Sequence, residues 1–162
     1  MVTPASLTIK AANKGKLYGA ATPALTVTYR GLVNGDTAAA SVPVILGTTT
    51  ASSGVGKYAI IPIAATNSNY TVHCVNGTLT ITKAALTITA DNKTKAFGAA
   101  NPPLTARYTG LVNGDTNDIS PVTLSTPAAT SVGKHAIMIK ATIGVTCANY
   151  RVTYVKGTLT IM

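Results

Sequence analysis

Catalysis needs titratable groups that converge on one point, and this chain of 162 residues has few to bring together: four acids, all of them Asp, with two His and two Cys. Asp36 and Asp115 hold the same place in two copies of a repeated motif, one acid to each copy, so they do not form the carboxylate pair that general acid and base chemistry uses. His73 falls on the polar side of an alternating stretch and His135 stands where Tyr58 stands in the other copy, so neither histidine has a recurring partner. Cys74 and Cys147 occupy non-equivalent positions, which argues against a disulfide that repeats with the motif. Cys74 takes the core-facing place of Tyr154 and is expected to be a buried free thiol. Two Cys and two His scattered in this way do not make a zinc site, and isolated Asp residues do not make a calcium site, which needs several clustered oxygens. A Lys to Asn isopeptide crosslink would need a buried acid beside the pair, and no apolar stretch carries one. The expectation is a protein that is not an enzyme and holds no cofactor or metal.

Charge is the remaining source of chemistry. Thirteen Lys and Arg against the four acids leave a net charge of +9, which favours anionic partners such as acidic glycan, nucleic acid or a membrane surface. Most basic residues are spread singly, as solubilising charge would be. The recurring exception is Lys14 with Lys16, matched by Lys93 with Lys95, each pair in a predicted loop just ahead of an aromatic ring, Tyr18 or Phe97. These four lysines form a candidate polyanion contact, for acidic glycan ahead of nucleic acid, with solvated loop lysines as the plainer alternative. Rows of Thr at alternate positions read as the solvent side of sheets.

The elements that would position these groups are strands. Residues 69–81 (NYTVHCVNGTLTI) recur at 149–161 as NYRVTYVKGTLTI. Asn76-Gly77 between two alternating runs predicts a β-hairpin with a type I′ turn, whose two central residues need positive φ. That hairpin sets Cys74 opposite Leu79 and Val72 opposite Ile81 on an apolar face, and His73 on the polar one. Leu7–Ala11, Leu25–Tyr29 and Gly56–Ile60 alternate as half-buried strands, with counterparts at Leu86–Ala90, Leu104–Tyr108 and Gly133–Ile137. Pro43 and Pro121 interrupt short strands over Val42–Leu46 and Ile119–Leu124 and mark them as edges, because proline cannot donate to a ladder. Gly31–Thr37, repeated without change at Gly110–Thr116, predicts a tight turn, with Leu32 and Leu111 in the core and Asp36 and Asp115 accepting hydrogen bonds from backbone amides. One helical turn near Asp36–Ala40 is the most helix the pattern allows.

Between Leu7–Thr37 and Leu86–Thr116, 21 of 31 positions are identical, so the chain is a duplication. The second copy is lengthened around Ile143–Cys147. The predicted domains are residues 1–83 and 84–162. Only Lys83-Ala84-Ala85 separates the last strand of one from the first strand of the next, too little for a flexible tether, so the copies are expected end to end with restricted hinge motion. Without Trp and with one Phe, each core must come from Val, Ile, Leu, Ala and Tyr. The predicted class is all-β, two small Ig-like β-sandwiches in tandem, with a β-grasp-like sheet as the alternative. Both chain ends fall in register with the repeat, as in an excerpt of a longer array or in a subunit shaped to meet another copy. The opening strand with Leu7 and Ile9 and the closing strand with Leu159 and Ile161 form a candidate assembly edge for head-to-tail pairing with a second copy.

The order of motifs resembles the MBG family of bacterial repeats in its Tyr-Gly type. The residues that carry it are Leu7-Thr8-Ile9, Lys16-Leu17-Tyr18-Gly19, Pro23-Ala24-Leu25, Tyr29-Arg30-Gly31, Gly35-Asp36, Gly56-Lys57-Tyr58 and Asn69-Tyr70 through Ile81, with the same pattern across Leu86–Ile161. Phe97 replaces the Tyr of the Tyr-Gly pair and His135 the usual aromatic after Gly-Lys. The resemblance implies a module strung in tandem along large secreted or surface-attached bacterial proteins, many of them adhesin-like, with no catalytic residues to carry over. The expected function is therefore structural, as a stalk, spacer or self-assembling subunit at the cell surface or outside the cell, with binding of an anionic glycan as the alternative. No run is long enough to span a bilayer, and no targeting signal is visible in this chain.

Overall fold

The structure, a computed structural model, describes residues 3–38, 42–50, 53–128, 131–142 and 147–162. The expected helical turn over Asp36–Ala40 and the lengthened segment at Ile143–Cys147 lie partly outside the described residues. The chain divides into two compact units, residues 1–82 and 83–162.

The first unit contains strands β1 (Ala5–Ala11), β2 (Lys14–Leu17), β3 (Val27–Arg30), β4 (Val44–Gly47), β5 (Gly56–Ala64), β6 (Tyr70–Val75) and β7 (Gly77–Thr82). They form a three-stranded sheet in the order β3-β1-β6 and a four-stranded sheet in the order β2-β7-β5-β4. Alternation decides which side of each strand is buried. In β1, Leu7, Ile9 and Ala11 are buried while Ser6 and Lys10 face solvent. Leu7, Ile9, Val42 and Tyr70 form one buried cluster, covered by Val27, Tyr29 and Val72 from one sheet and Val44 and Ala64 from the other, so the sheets face each other as a sandwich. Ile60, Leu79 and Ile81 supply the inner face of the four-stranded sheet.

The second unit repeats this plan with β8 (Ala84–Ala90), β9 (Lys93–Lys95), β10 (Ala106–Thr109), β11 (Val122–Ser125), β12 (Gly133–Ala141), β13 (Tyr150–Val155) and β14 (Gly157–Ile161). Its sheets are β10-β8-β13 and β11-β12-β14-β9. One 3-10 turn at Asn117–Ile119 precedes β11.

The predicted hairpin is not there. β6 and β7 belong to different sheets, and β6 pairs in parallel with β1 while β7 pairs in parallel with β2 and antiparallel with β5. Asn76 is the point where one long strand crosses from sheet to sheet, and neither Asn76 nor Gly77 has a positive φ. Gly77 is required for another reason: a Cβ there would lie 2.8 Å from the carbonyl oxygens of both Ala11 and Ala12, and at Gly157 2.7 Å from that of Ala90. The type I′ geometry appears at Asn34-Gly35 (φ 57° and 76°) and Asn113-Gly114 (57° and 77°), each closed by the Asp amide donating to a Val carbonyl at 3.0 Å.

Loss of the hairpin moves other residues. Cys74, expected in the core, is exposed: it shares the face of Tyr70 and Val72, but burial falls away along β6 toward Asn76, where the chain crosses to the other sheet instead of folding back to set Leu79 over the thiol. Leu7 and Ile9 lie on the middle strand of their sheet, and Leu159 and Ile161 on a strand with β12 on one side and β9 on the other. All four side chains are buried, so they offer no open assembly edge. β4 and β11 do end their sheets, each starting just after its proline, as the missing donors of Pro43 and Pro121 require.

Candidate functional site

The turn at Asn34-Gly35 places one of the acids. Tyr70, first residue of β6, donates its phenol to Asp36 Oδ2 at 2.6 Å and accepts the Val33 amide at 3.1 Å. In the second unit Tyr150 makes the same pair of bonds, to Asp115 Oδ2 at 2.6 Å and from the Val112 amide at 3.0 Å. The bond to Asp36 is the main reason that the Tyr70 phenol is held above its ordinary pKa; burial and the negative charge of Asp36 add to the rise and the bond with Val33 opposes it. A phenol so held stays protonated, so this pair works as a strut between turn and strand. The expected partner of the Asp was the backbone; the tyrosine takes that place. A recess of about 370 Å³ opens beside it, lined among others by Thr3, Pro4, Asn34 and Asn69.

Lys14 and Lys16 stand on strand β2 and Lys93 and Lys95 on β9, where loops were expected. They sit across from Leu79, Ile81, Leu159 and Ile161, so their stems lie on the core side of the sheet. Lys16 is 8% exposed and its ammonium donates to the Ala20 carbonyl at 3.0 Å. Lys95 makes the matching bond to Ala99 at 2.9 Å. Of the two aromatics, Tyr18 is buried and Phe97 is 61% exposed. The structure thus brings each lysine pair together along one short strand and turns the pair inward.

A different basic group appears on the outer face of the first three-stranded sheet. Thr8 lies opposite Arg30 on one side and His73 on the other, and Lys10 follows two residues further along the same strand. Arg30, Lys10 and His73 are all exposed. Neighbouring strands lie about 4.8 Å apart, so Arg30 and His73 flank Thr8 with backbones about 10 Å apart. The second unit has Arg107 and Arg151 on the equivalent face, with Arg107 Nε 3.0 Å from Asp91 Oδ1. Alternation places His73 on a polar face and Lys10 on the outward side of Leu7–Ala11 from sequence, but only the parallel partnership of β1 and β6, which local patterns do not reveal, assembles the cluster.

An apolar group stands on the outer face of the first four-stranded sheet. Ile45 (74% exposed) pairs with Ile63 (60%), with Ile61 beside them. The corresponding pair in the second unit is Thr123 with Lys140. Among the described residues, no three of His, Cys, Asp and Glu come together as ligands for a metal ion, and no helix is long and apolar enough to cross a membrane.

A search of curated proteins finds no match to this chain. The profile of the MBG domain (YGX type) matches twice, over residues 7–80 and 86–160, nearly the span of the two sandwiches. The chain therefore belongs to the MBG domain family, YGX type, as two tandem repeats.

Proposed function

We propose that the chain is a structural and interaction module of an extracellular bacterial surface protein or filament, acting as a spacer or assembling subunit in an adhesion-related role. The observation that supports this most directly is the tandem copy itself: the last strand of the first sandwich ends at Thr82, the first strand of the second begins at Ala84, and Lys83 alone joins them. A spacer needs repeated units with little slack between them. Antibody labelling of intact cells that express the parent protein tests the location. Signal before permeabilisation is the expected result, and signal only after permeabilisation overturns the reading. Electron microscopy of the purified chain over a range of concentration and pH separates the two versions: head-to-tail filaments identify an assembling subunit, and monomers throughout leave the spacer.

The outer basic face favours a second role, contact with an acidic glycan. Arg30, Lys10 and His73 surround a threonine on a sheet face whose other side chains are Ser6, Thr28, Thr71 and Val75, so that the His73 imidazole is the one ring there and no Phe, Tyr or Trp offers a row of stacking platforms for nucleic-acid bases. Salt-sensitive retention on an immobilised acidic glycan should weaken on Lys10→Glu with Arg30→Glu. Changing Lys14, Lys16, Lys93 and Lys95 to Ala should matter less, because their stems turn inward. Equal losses from both sets would point to diffuse charge.

A further inference from the structure

In the first unit the segment that opens the fold and the segment that closes it run side by side in the same direction. Residues 5–10 pair with 70–75 in one sheet and residues 14–17 with 79–82 in the other, at one constant separation of 65. The two segments therefore change sheets together. At the crossing, Asn13 Oδ1 accepts the Thr78 amide at 2.9 Å, and Gly77 seats against the carbonyls of Ala11 and Ala12. Further bonds secure both ends of the ribbon, from the Ala5 amide to the Asn69 carbonyl at 2.9 Å and from the Tyr18 amide to the Thr82 carbonyl at 2.8 Å.

The second unit repeats the device. Residues 84–89 pair with 150–155 and residues 93–95 with 159–161, at a separation of 66. Asn92 Oδ1 accepts the Thr158 amide at 2.8 Å. The Ala84 amide bonds to the Asn149 carbonyl at 3.0 Å and the Phe97 amide to the Met162 carbonyl at 2.7 Å.

Parallel pairing of first and last strands has a mechanical consequence. The beginning of the opening strand and the end of the closing strand lie at opposite ends of the ribbon. Tension on those two points pulls the strands along their own axes in opposite senses, so the ladder bonds must stretch together before any one yields. Antiparallel terminal strands would put both loaded points at the same end, and their bonds would open one after another. Residues 18–69, which carry β3, β4 and β5, lie off this direct path.

We infer that each unit is a force-bearing clamp, with the bent parallel ribbon carrying in shear any tension applied to its two ends. The use of such a clamp rests on the spacer proposal, since a spacer between a cell and its target is pulled; its geometry does not.

Single-molecule pulling on the full chain, with Cys74→Ser and Cys147→Ser to leave only the introduced thiols, tests it. Handles at Thr3→Cys and Lys83→Cys, both exposed positions, load the first ribbon in shear. Handles at Thr3→Cys and Ser68→Cys peel β6 from β1 starting at Ala5 and Tyr70. Thr66→Cys can replace Ser68→Cys, and urea midpoints matching the unmodified chain certify that each handle variant is folded. At one loading rate the shear geometry should need a severalfold higher force to unfold the first unit. Equal forces, or a weaker shear geometry, overturn the clamp. A severalfold ratio in a protein that labels only inside cells leaves the clamp standing and removes the spacer, whereas equal forces in a surface-labelled protein do the reverse.

Discussion

The dipeptide Asn-Gly occurs with one sequence signature and two physical causes. At Asn34-Gly35 both residues take positive φ, and a Cβ on Gly35 would meet nothing within 4 Å. At Gly77 the backbone conformation is ordinary, and the space is filled by two carbonyl oxygens that belong to the main chain and cannot swing aside. Asn tolerates the left-handed region, so Gly35→Asn should shift stability by about 1 kcal/mol or less. Gly77→Asn should cost in the upper part of the about 1–3 kcal/mol typical of overpacking. Urea midpoints decide this; a hairpin at residues 76–77 would give the reverse order. The Tyr70 strut makes a prediction in pH. Its phenol ionises later in the folded chain than in the unfolded one, so its contribution is complete below about pH 10 and is lost as pH rises through the folded value. Tyr108, raised chiefly by burial, acts with the same sign. Stability measured through the alkaline range should fall above about pH 10, and Tyr70→Phe should flatten that fall; an unchanged slope would remove the strut from the account. The turn at Asp36 was legible because its φ requirement is local. The tyrosine that binds the Asp was not, because it lies 34 residues away.

At the scale of strands, sequence alternation showed which face of each segment is buried but not which segment lies beside it. Leu7, Ile9, Leu79, Ile81, Leu159 and Ile161 all fall on inner faces, as their period-two spacing requires. Pairing was misread where two candidates competed. A tight turn between β6 and β7 involves the least loop closure, whereas the parallel partners of β6 and β7 lie 65 residues upstream and leave no mark in a local window. That error exposed Cys74, closed the supposed assembly edge, and hid the cluster of Arg30, Lys10 and His73. The edge strands behind Pro43 and Pro121 were legible because proline removes a donor regardless of its partner. The register of β5 can be checked at two nearby isoleucines. Ile60 is fully buried and Ile63 is 60% exposed on the opposite face. Ile60→Ala should cost about 2–5 kcal/mol. Ile63→Thr, which keeps a β-branched side chain at the surface, should stay within about 0.5 kcal/mol. Comparable losses at both positions would mean that the outer face of β5 is covered.

Over the whole molecule the duplication was the clearest message, because identity at a fixed spacing needs no structural assumption. The structure adds that the two copies have separate cores. One is built around Leu7, Ile9, Val42 and Tyr70, and the other around Ala90, Ile137, Leu159 and Ile161. Each β-sandwich therefore has its own hydrophobic drive to fold, and damage to one core should stay within its unit. Ile137→Asp is a direct test. Ile137 is fully buried on the interior strand β12, in register with Gly157, and its cluster neighbours Ala90, Leu159 and Ile161 are apolar. Burying that charge costs more than a small domain with a thin core can offset, so the second unit should unfold. In a ¹H–¹⁵N correlation spectrum, signals from residues in 83–162 should collapse to the narrow range of disordered amides. Signals from residues in 3–82 should keep their dispersion and their positions. The reciprocal substitution, Ile60→Asp, occupies the corresponding place in the first unit, in register with Gly77, and should reverse the pattern. Loss of both sets of signals from either substitution would show that the copies fold as one cooperative body, and a spacer built from such a chain would fail all at once under load instead of unit by unit.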